Sequence, residues 1–258
     1  METIHPTAII HPQARLGARC RIGPYCVIGE HVQLGDDCWL HSHVVLDGHT
    51  RLGQANEIFP FASIGLKTQD LKWKPGGVTR TEIGDRNTFR EYVTVHSATG
   101  DGEVTTVGSD NHILAYCHLA HNVTVGHRVI MSNVATLAGH VTVEDHAVIG
   151  GLVAIHQFCR VGKMAMIGGC SKVVQDIPPF MIADGNAART VTVNKVGLER
   201  NGVSEEAQTA LRQAYKILFR AGLTIPNALA QIESELPPLP ELAYLVKFVR
   251  SSERGISK

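Results

Sequence analysis

Every sixth residue from Ile4 to Ile64 is Ile or Leu: Ile4, Ile10, Leu16, Ile22, Ile28, Leu34, Leu40, Leu46, Leu52, Ile58 and Ile64. The residue four places on is usually small, as at Ala8, Ala14, Cys20, Cys26 and Cys38, and Gly often follows the aliphatic directly. A second block, shifted by one residue, runs Ile83, Phe89, Val95 and then from Val107 to Val173, broken only at Asp101. A period of six with one large and one small inward residue fits neither an amphipathic helix nor a simple alternating strand. It does fit a solenoid whose hexads are the short sides of stacked coils. Three sides make an 18-residue turn. With neighbouring strands ~4.8 Å apart, about nine such coils form a prism on the order of 40 Å tall.

Length and charge narrow the function. The 258 residues carry 24 basic and 24 acidic side chains, which argues against a nucleic-acid or polybasic membrane binder. No apolar run reaches the ~18 residues that span a bilayer, and METIHPTAII enters the repeat without signal-peptide character, so a cytoplasmic protein with no integral membrane segment is expected. Cys20, Cys26, Cys38, Cys117 and Cys159 fall in the small inward slot, with Cys170 one place earlier. They read as buried small hydrophobes in a reducing compartment.

The repeat is interrupted between Ile64 and Ile83, where Pro75, Gly76 and Gly77 mark a loop over about residues 66–82. Its polar cluster, Gln69, Asp70 and Lys72, favours a functional loop over decoration. A smaller excursion, SATGDGE, surrounds Asp101. Pro178 and Pro179 end the repeat, and the domain boundary is set at 188/189. A helical tail follows: Ser204 caps a helix that stops at Gly222, and two shorter helices lie after Thr224 and within PELAYLVKFVRSS. Basic residues in the tail, among them Arg200, Arg212, Lys216, Arg220, Lys247, Arg250 and Arg254, suit either a solvated surface or an acidic partner.

Fourteen histidines raise the question of a metal, but no two are five positions apart, as the His-x4-His pair of a zinc-binding β-helix requires, and no metal site is expected. Several, including His5, His11, His41, His96 and His156, sit directly after an aliphatic, and most of the fourteen read as structural residues. His118 and His121 instead flank Leu119, off the inward register. Gly139 lies one 18-residue coil beyond His121, and Gln157 one coil further, with His140 and His156 beside them. That column joins an imidazole, an unobstructed backbone N–H and an amide. Acyl transfer to a hydroxyl needs such a set: a general base and a donor facing the oxyanion.

The runs TQDLKW, AHNVTVG, NVATLAGHVTV, AVIGGLVAIHQFCRVG and IGGCSKVVQDIPPF resemble the UDP-N-acetylglucosamine O-acyltransferase family, which opens lipid A biosynthesis, over essentially the whole chain. The resemblance implies a left-handed parallel β-helix with a C-terminal α-helical domain, assembled as a cytoplasmic homotrimer. It implies transfer of an (R)-3-hydroxyacyl group from acyl carrier protein to the 3-hydroxyl of UDP-N-acetylglucosamine, with no cofactor beyond the phosphopantetheine of the carrier. His121 falls on the family's general base and Gly139 on its oxyanion donor. His118, His140, His156 and Gln157 match residues around the sugar and acyl donor, Asp70 and Lys72 match loop contacts, and Asn194 and Arg200 match nucleotide contacts. Gly169 matches a position that limits acyl length, and a glycine there favours a longer chain.

Four positions depart from the family's pattern: Asn122 replaces the usual Asp after the catalytic His, Ser97 an Arg, Val196 a nucleotide-contacting Glu, and Asn201 a second Arg. The first weakens the expected support for the base, and the others leave the nucleotide contacts open. A related hexapeptide acyltransferase using a 3-amino sugar nucleotide or another acyl donor is the alternative enzyme; a non-catalytic β-helical binding protein is the alternative of another class.

Overall fold

The computed structural model describes residues 4–258. The hexads form parallel strands of two to four residues that wind into three sheets of nine, eight and ten strands, the last counting two strands of a terminal hairpin. Consecutive hexad strands pass to the next sheet, as a β-helix requires. Ile10 lies beside Ile28 and Ile28 beside Leu46, which is the expected 18-residue coil. The aliphatics point inward, with Leu40, Leu46, Ile58, Ile64, Leu119 and Leu137 inaccessible, and the small residues fill the space between them. Cys20, Cys26, Cys38, Cys117 and Cys159 occupy this core, whereas Cys170 is exposed at a corner. Burial holds the Cys38, Cys117 and Cys159 thiols up at about 11.

The corners have a signature of their own. Three places after most aliphatics stands a non-glycine residue in the left-handed region, with φ between +53° and +69°. Each costs about 1–2 kcal/mol of backbone strain. Hydrogen bonds to the preceding coil offset it: the N–H of Asp37, His43 and His146 reach the carbonyls of Ala18, Pro24 and His127 at 2.9 Å.

Polar residues also enter the small slot. Asn56, Asn87 and Asn111 are buried and stacked on successive coils. Asn87 Nδ2 donates to Asn56 Oδ1 (3.0 Å) and to the Gly108 carbonyl (2.9 Å), while Asn87 Oδ1 accepts from Asn111 N and Nδ2 (2.9 Å each). Replacing Asn87 with Ala orphans partners on both sides, and the expected loss is on the order of 3 kcal/mol of unfolding free energy, to be read from urea denaturation of parent and variant. An unchanged midpoint would show the ladder to be dispensable.

The three edges of the prism differ in chemistry. One carries exposed rings: Tyr25, His43, Phe61, Tyr92 and Tyr116 stack on successive coils with centroids 4.9–5.0 Å apart, and Leu152 continues the line. A second is charged, with Arg19 on Asp37 and Arg86 on Asp110. The third, which follows the nine-stranded sheet, carries His121, Gly139 and Gln157.

Both interruptions leave from this third edge. Residues 67–79, a span shorter than the expected 66–82, connect Ser63–Leu66 to Arg80–Ile83; residues 97–103 connect Thr94–His96 to Val104–Val107. The coils close in register on either side. Arg86 of one coil meets Asp110 of the next 24 residues on, and the Gln54 N–H meets Asp85 31 residues on. The extra residues are therefore looped out. The two loops also bind each other, through Val78 N to Asp101 Oδ1 (2.7 Å) and Gly102 N to the Val78 carbonyl (2.8 Å).

The end of the prism differs from expectation. An antiparallel hairpin, Met181–Gly185 with Ala188–Val193, supplies the last two strands of the ten-stranded sheet, so the expected boundary at 188/189 falls within a strand. The hairpin leads into α1 (Lys195–Arg200), which the sequence pattern had not suggested. Three helices follow: α2 (Glu205–Phe219), α3 (Ile225–Glu235) and α4 (Pro240–Arg250), with Ser204 capping α2 through Ala207 N as expected. They form a second core around Leu198, Leu211, Leu218, Leu245 and Val249. Among the described residues no helix is long and apolar enough to cross a membrane.

Candidate active site

The 18-residue register stacks Leu119, Leu137 and Ile155, and with them the residues that follow at the corner. His121 projects over Gly139: a Cβ at Gly139 would fall inside contact distance of the imidazole Cε1 and Nε2. Only glycine leaves room for the ring. Among the described residues the Gly139 N–H has no hydrogen-bond acceptor, although its carbonyl accepts from Phe158 N (3.2 Å).

The imidazole is held from one side. Its Nδ1 lies 2.9 Å from Asn122 Oδ1, which also accepts from Thr99 N (3.1 Å), and Asn122 Nδ2 donates to Glu103 Oε2 (2.8 Å). A backbone N–H can only donate and a carboxylate can only accept. The amide of Asn122 is thereby oriented with its oxygen toward His121, and Nδ1 must carry the proton. Nε2 is left with a lone pair, 3.7 Å from Asp70 Oδ2 in the first loop. Asp70 is itself fixed by Lys72 N (3.0 Å on Oδ1) and Thr99 Oγ1 (3.1 Å on Oδ2). The hydrogen bond from Lys72 N is the main cause that holds the Asp70 carboxyl below its ordinary value.

The neighbouring histidines are kept neutral. Burial, with His96 and His121 nearby, pushes His118 down to about 4, and its Nδ1 meets Thr94 Oγ1 at 2.7 Å. Burial lowers His96 too, and its Nδ1 is buried without a hydrogen-bond partner. His140 stands edge-on to His121 at 5.2 Å and stacks on Phe158 at 4.7 Å; burial is the main cause of its lowered pKa. The His121 imidazole therefore stands among uncharged ones, beside a carboxylate and above an N–H with no acceptor among the described residues. This arrangement can take a proton from a hydroxyl and stabilise an oxyanion.

The structure brings Asp70, Lys72, His118, His121, Gly139 and His140 together, and sets His156 and Gln157, both exposed, one coil along the same edge. It does not bring the remaining candidates to them within one chain. Gly169 follows the ten-stranded sheet and lies on the aromatic edge. Asn194 is buried and caps α1: its Oδ1 accepts from Gly197 N (3.1 Å) and its Nδ2 donates to the Met164 carbonyl (2.9 Å). The side chain expected to touch a nucleotide therefore also serves the fold, as the cap of a helix the sequence pattern does not suggest. Arg200 is exposed in the last turn of that helix. Of the other basic tail residues, Arg250 pairs with Glu233 (2.9 Å), Arg254 donates to the Val174 carbonyl and Arg220 to Tyr215, which leaves less free positive charge than the sequence suggests. Glu103 and Thr99 were missed altogether. The signal that could have found them is the lone break in the hexads at Asp101, which marks the excursion that carries both.

Comparison with known proteins gives a consistent picture. A family model described as UDP N-acetylglucosamine O-acyltransferase, domain 2, matches residues 176–257. The structure of LpxA from Acinetobacter baumannii is similar at 44% identity and a TM-score of 0.96, covering 100% of both chains. LpxA from Bacteroides fragilis, a UDP-N-acetylglucosamine acyltransferase, matches at 38% identity and a TM-score of 0.95, over 99% of this chain and 100% of its own. The UDP-N-acetylglucosamine O-acyltransferase of Moraxella catarrhalis matches with the same identity, TM-score and coverage.

Proposed function

This chain belongs to the UDP-N-acetylglucosamine O-acyltransferase family, and from that premise we propose that it transfers an (R)-3-hydroxyacyl group from acyl carrier protein to the 3-hydroxyl of UDP-N-acetylglucosamine, as the first step of lipid A biosynthesis. The observation that carries the mechanism is the open Nε2 of His121 above the unpaired Gly139 N–H. Nε2 removes the proton as the sugar oxygen attacks the thioester carbonyl. The oxyanion forms against the Gly139 N–H. Its collapse breaks the C–S bond, and the proton held on His121 passes to the departing phosphopantetheine sulfur. Asp70, facing Nε2, stabilises the transient imidazolium.

The acyl carrier protein, being the donor, docks as a partner, and the site is completed by self-association into a homotrimer. The aromatic edge supports this reading, since rings exposed along five coils are an unusual surface for a lone prism. Gly169 lies on that edge, and a neighbouring copy can bring it to the histidine edge of the next. A cytoplasmic location is consistent with these substrates.

The direct test is incubation with UDP-N-acetylglucosamine and a pool of (R)-3-hydroxyacyl carrier proteins, with products read by mass spectrometry. An O-acylated sugar nucleotide is the expected result. Turnover only with the 3-amino analogue would redirect the acceptor, and no binding of either substrate would point to a non-catalytic protein.

Acyl length gives a second readout. A Cβ at Gly169 would lie 3.3 Å from the Gly151 carbonyl oxygen, which is tight but tolerable, so a side chain can be introduced there. Gly169→Met is expected to shift preference toward shorter acyl chains by roughly tenfold in relative kcat/KM, one to two methylenes' worth of contact. An unchanged length profile would remove Gly169 from the acyl site.

A further inference from the structure

An amide stands where the family's pattern has a carboxylate beside the catalytic imidazole, yet a carboxylate is present one hydrogen bond away. Asn122 Oδ1 receives His121 Nδ1, and Asn122 Nδ2 donates to Glu103 Oε2 at 2.8 Å. Glu103 is not adrift on its loop: the same oxygen accepts from Gly100 N at 2.7 Å, within a turn tied to the first loop through Asp101. We propose that Glu103 is a positioning residue for His121, acting through Asn122 as a neutral relay, so that the carboxylate missing at position 122 is supplied from the 97–103 excursion. This rests on the reading of His121 as the general base.

Three functions follow from the chain His121–Asn122–Glu103. It fixes the tautomer, because an amide that donates to a carboxylate cannot turn its NH2 toward His121. It fixes the ring plane over Gly139. It also polarises the amide, so that negative charge is felt at Nδ1 when the ring becomes an imidazolium. The hydrogen bond from Asn122, the largest influence on it, holds the Glu103 carboxyl below the usual range, so the relay is charged at neutral pH. The excursion is therefore a working part of the site rather than a surface ornament, and the hydrogen-bonded pair Asn122–Glu103 does what a single acidic residue could do alone.

The test uses Glu103→Gln, Asn122→Asp and the double variant, all in the full-length protein. Other charged or titratable groups face the ring as well: Asp70 from the first loop, with Lys72 beside it, and His96, His118 and His140 from the neighbouring strands and corners. These are common to all variants, so differences between variants report position 103 and position 122 alone. The first readout is the His121 titration followed by NMR, which needs no turnover. Loss of the Glu103 charge is expected to lower the His121 pKa by on the order of half a unit, and Asn122→Asp in the Glu103→Gln background is expected to restore or exceed the parent value. The second readout is kinetic: Glu103→Gln lowers kcat roughly tenfold with KM unchanged, shifts the acidic limb of the pH profile to lower pH, and is rescued by the added Asn122→Asp. Superimposable titrations of parent and Glu103→Gln, or a double variant no better than Glu103→Gln, overturn the relay. Failure of the parent to acylate the sugar nucleotide would instead count against the proposed reaction, and the titration would still decide the relay.

Discussion

His121→Ala is expected to lower kcat by roughly a thousandfold or more, with little change in KM, because the variant loses the imidazole whose open Nε2 is positioned above Gly139 to accept the hydroxyl proton. The neighbouring histidines cannot substitute. His118 Nδ1 is engaged by Thr94 and its ring is pushed down to about 4, so it is a poor base. His140 is stacked against Phe158 and also has a lowered pKa. The fold should survive, since His121 projects from a corner and no core residue packs on it alone; an unaltered circular dichroism spectrum and melting temperature check this. Near-parental turnover would remove His121 from the mechanism.

Gly139→Ala is expected to cost roughly a hundredfold in kcat for a reason that is steric before it is chemical. The backbone at 139 is not in the left-handed region, so alanine meets no conformational penalty there. The atoms nearest its methyl group all belong to His121, closest at the Cε1–Nε2 edge of the ring that does the chemistry. The ring must swing away from Asn122 Oδ1, and both the base and the oxyanion donor lose their alignment. This makes a sharp double-mutant cycle. In the His121→Ala background the space is vacant, so adding Gly139→Ala should change little, and the two losses should be far from additive. Strict additivity would mean that Gly139 and His121 act independently.

The repeat was legible because it is a statement about volume. One large and one small inward residue per hexad is a packing requirement that each coil must satisfy locally, and Leu40, Cys38 and their counterparts obey it without reference to distant residues. The column of His121, Gly139 and Gln157 was legible for the same reason: 18-residue spacing converts directly into stacking. The excursions were not. Whether Glu103 meets Asn122, or Asp70 meets His121, depends on how two loops fold against each other, and no period describes that. The left-handed corners escaped because their residues, from Arg19 to Phe158, share a conformation and no chemistry. Helix α1 escaped because one and a half turns leave little periodicity to detect, and Asn194, the cap that starts it, looks like any exposed polar residue in the sequence.

The looped-out segment at residues 97–103 also shows that this molecule keeps something like a reading frame. It adds six residues, the length of a whole side, to a solenoid whose sides are counted in sixes. Had Asp101 been leucine, the insertion could have been read as an extra side, and every later strand would have passed to the next sheet. His121 and Gly139 would still have stacked, but on a different edge, away from the loop that carries Asp70. Aspartate in the inward position forbids that reading, since an unpaired carboxylate in the core costs far more than a surface loop, and Gly100 and Gly102 let the chain turn back instead. Asp101 then keeps Val78 N as its partner outside. A single charged residue thus acts as a punctuation mark: it tells the chain which six residues not to count.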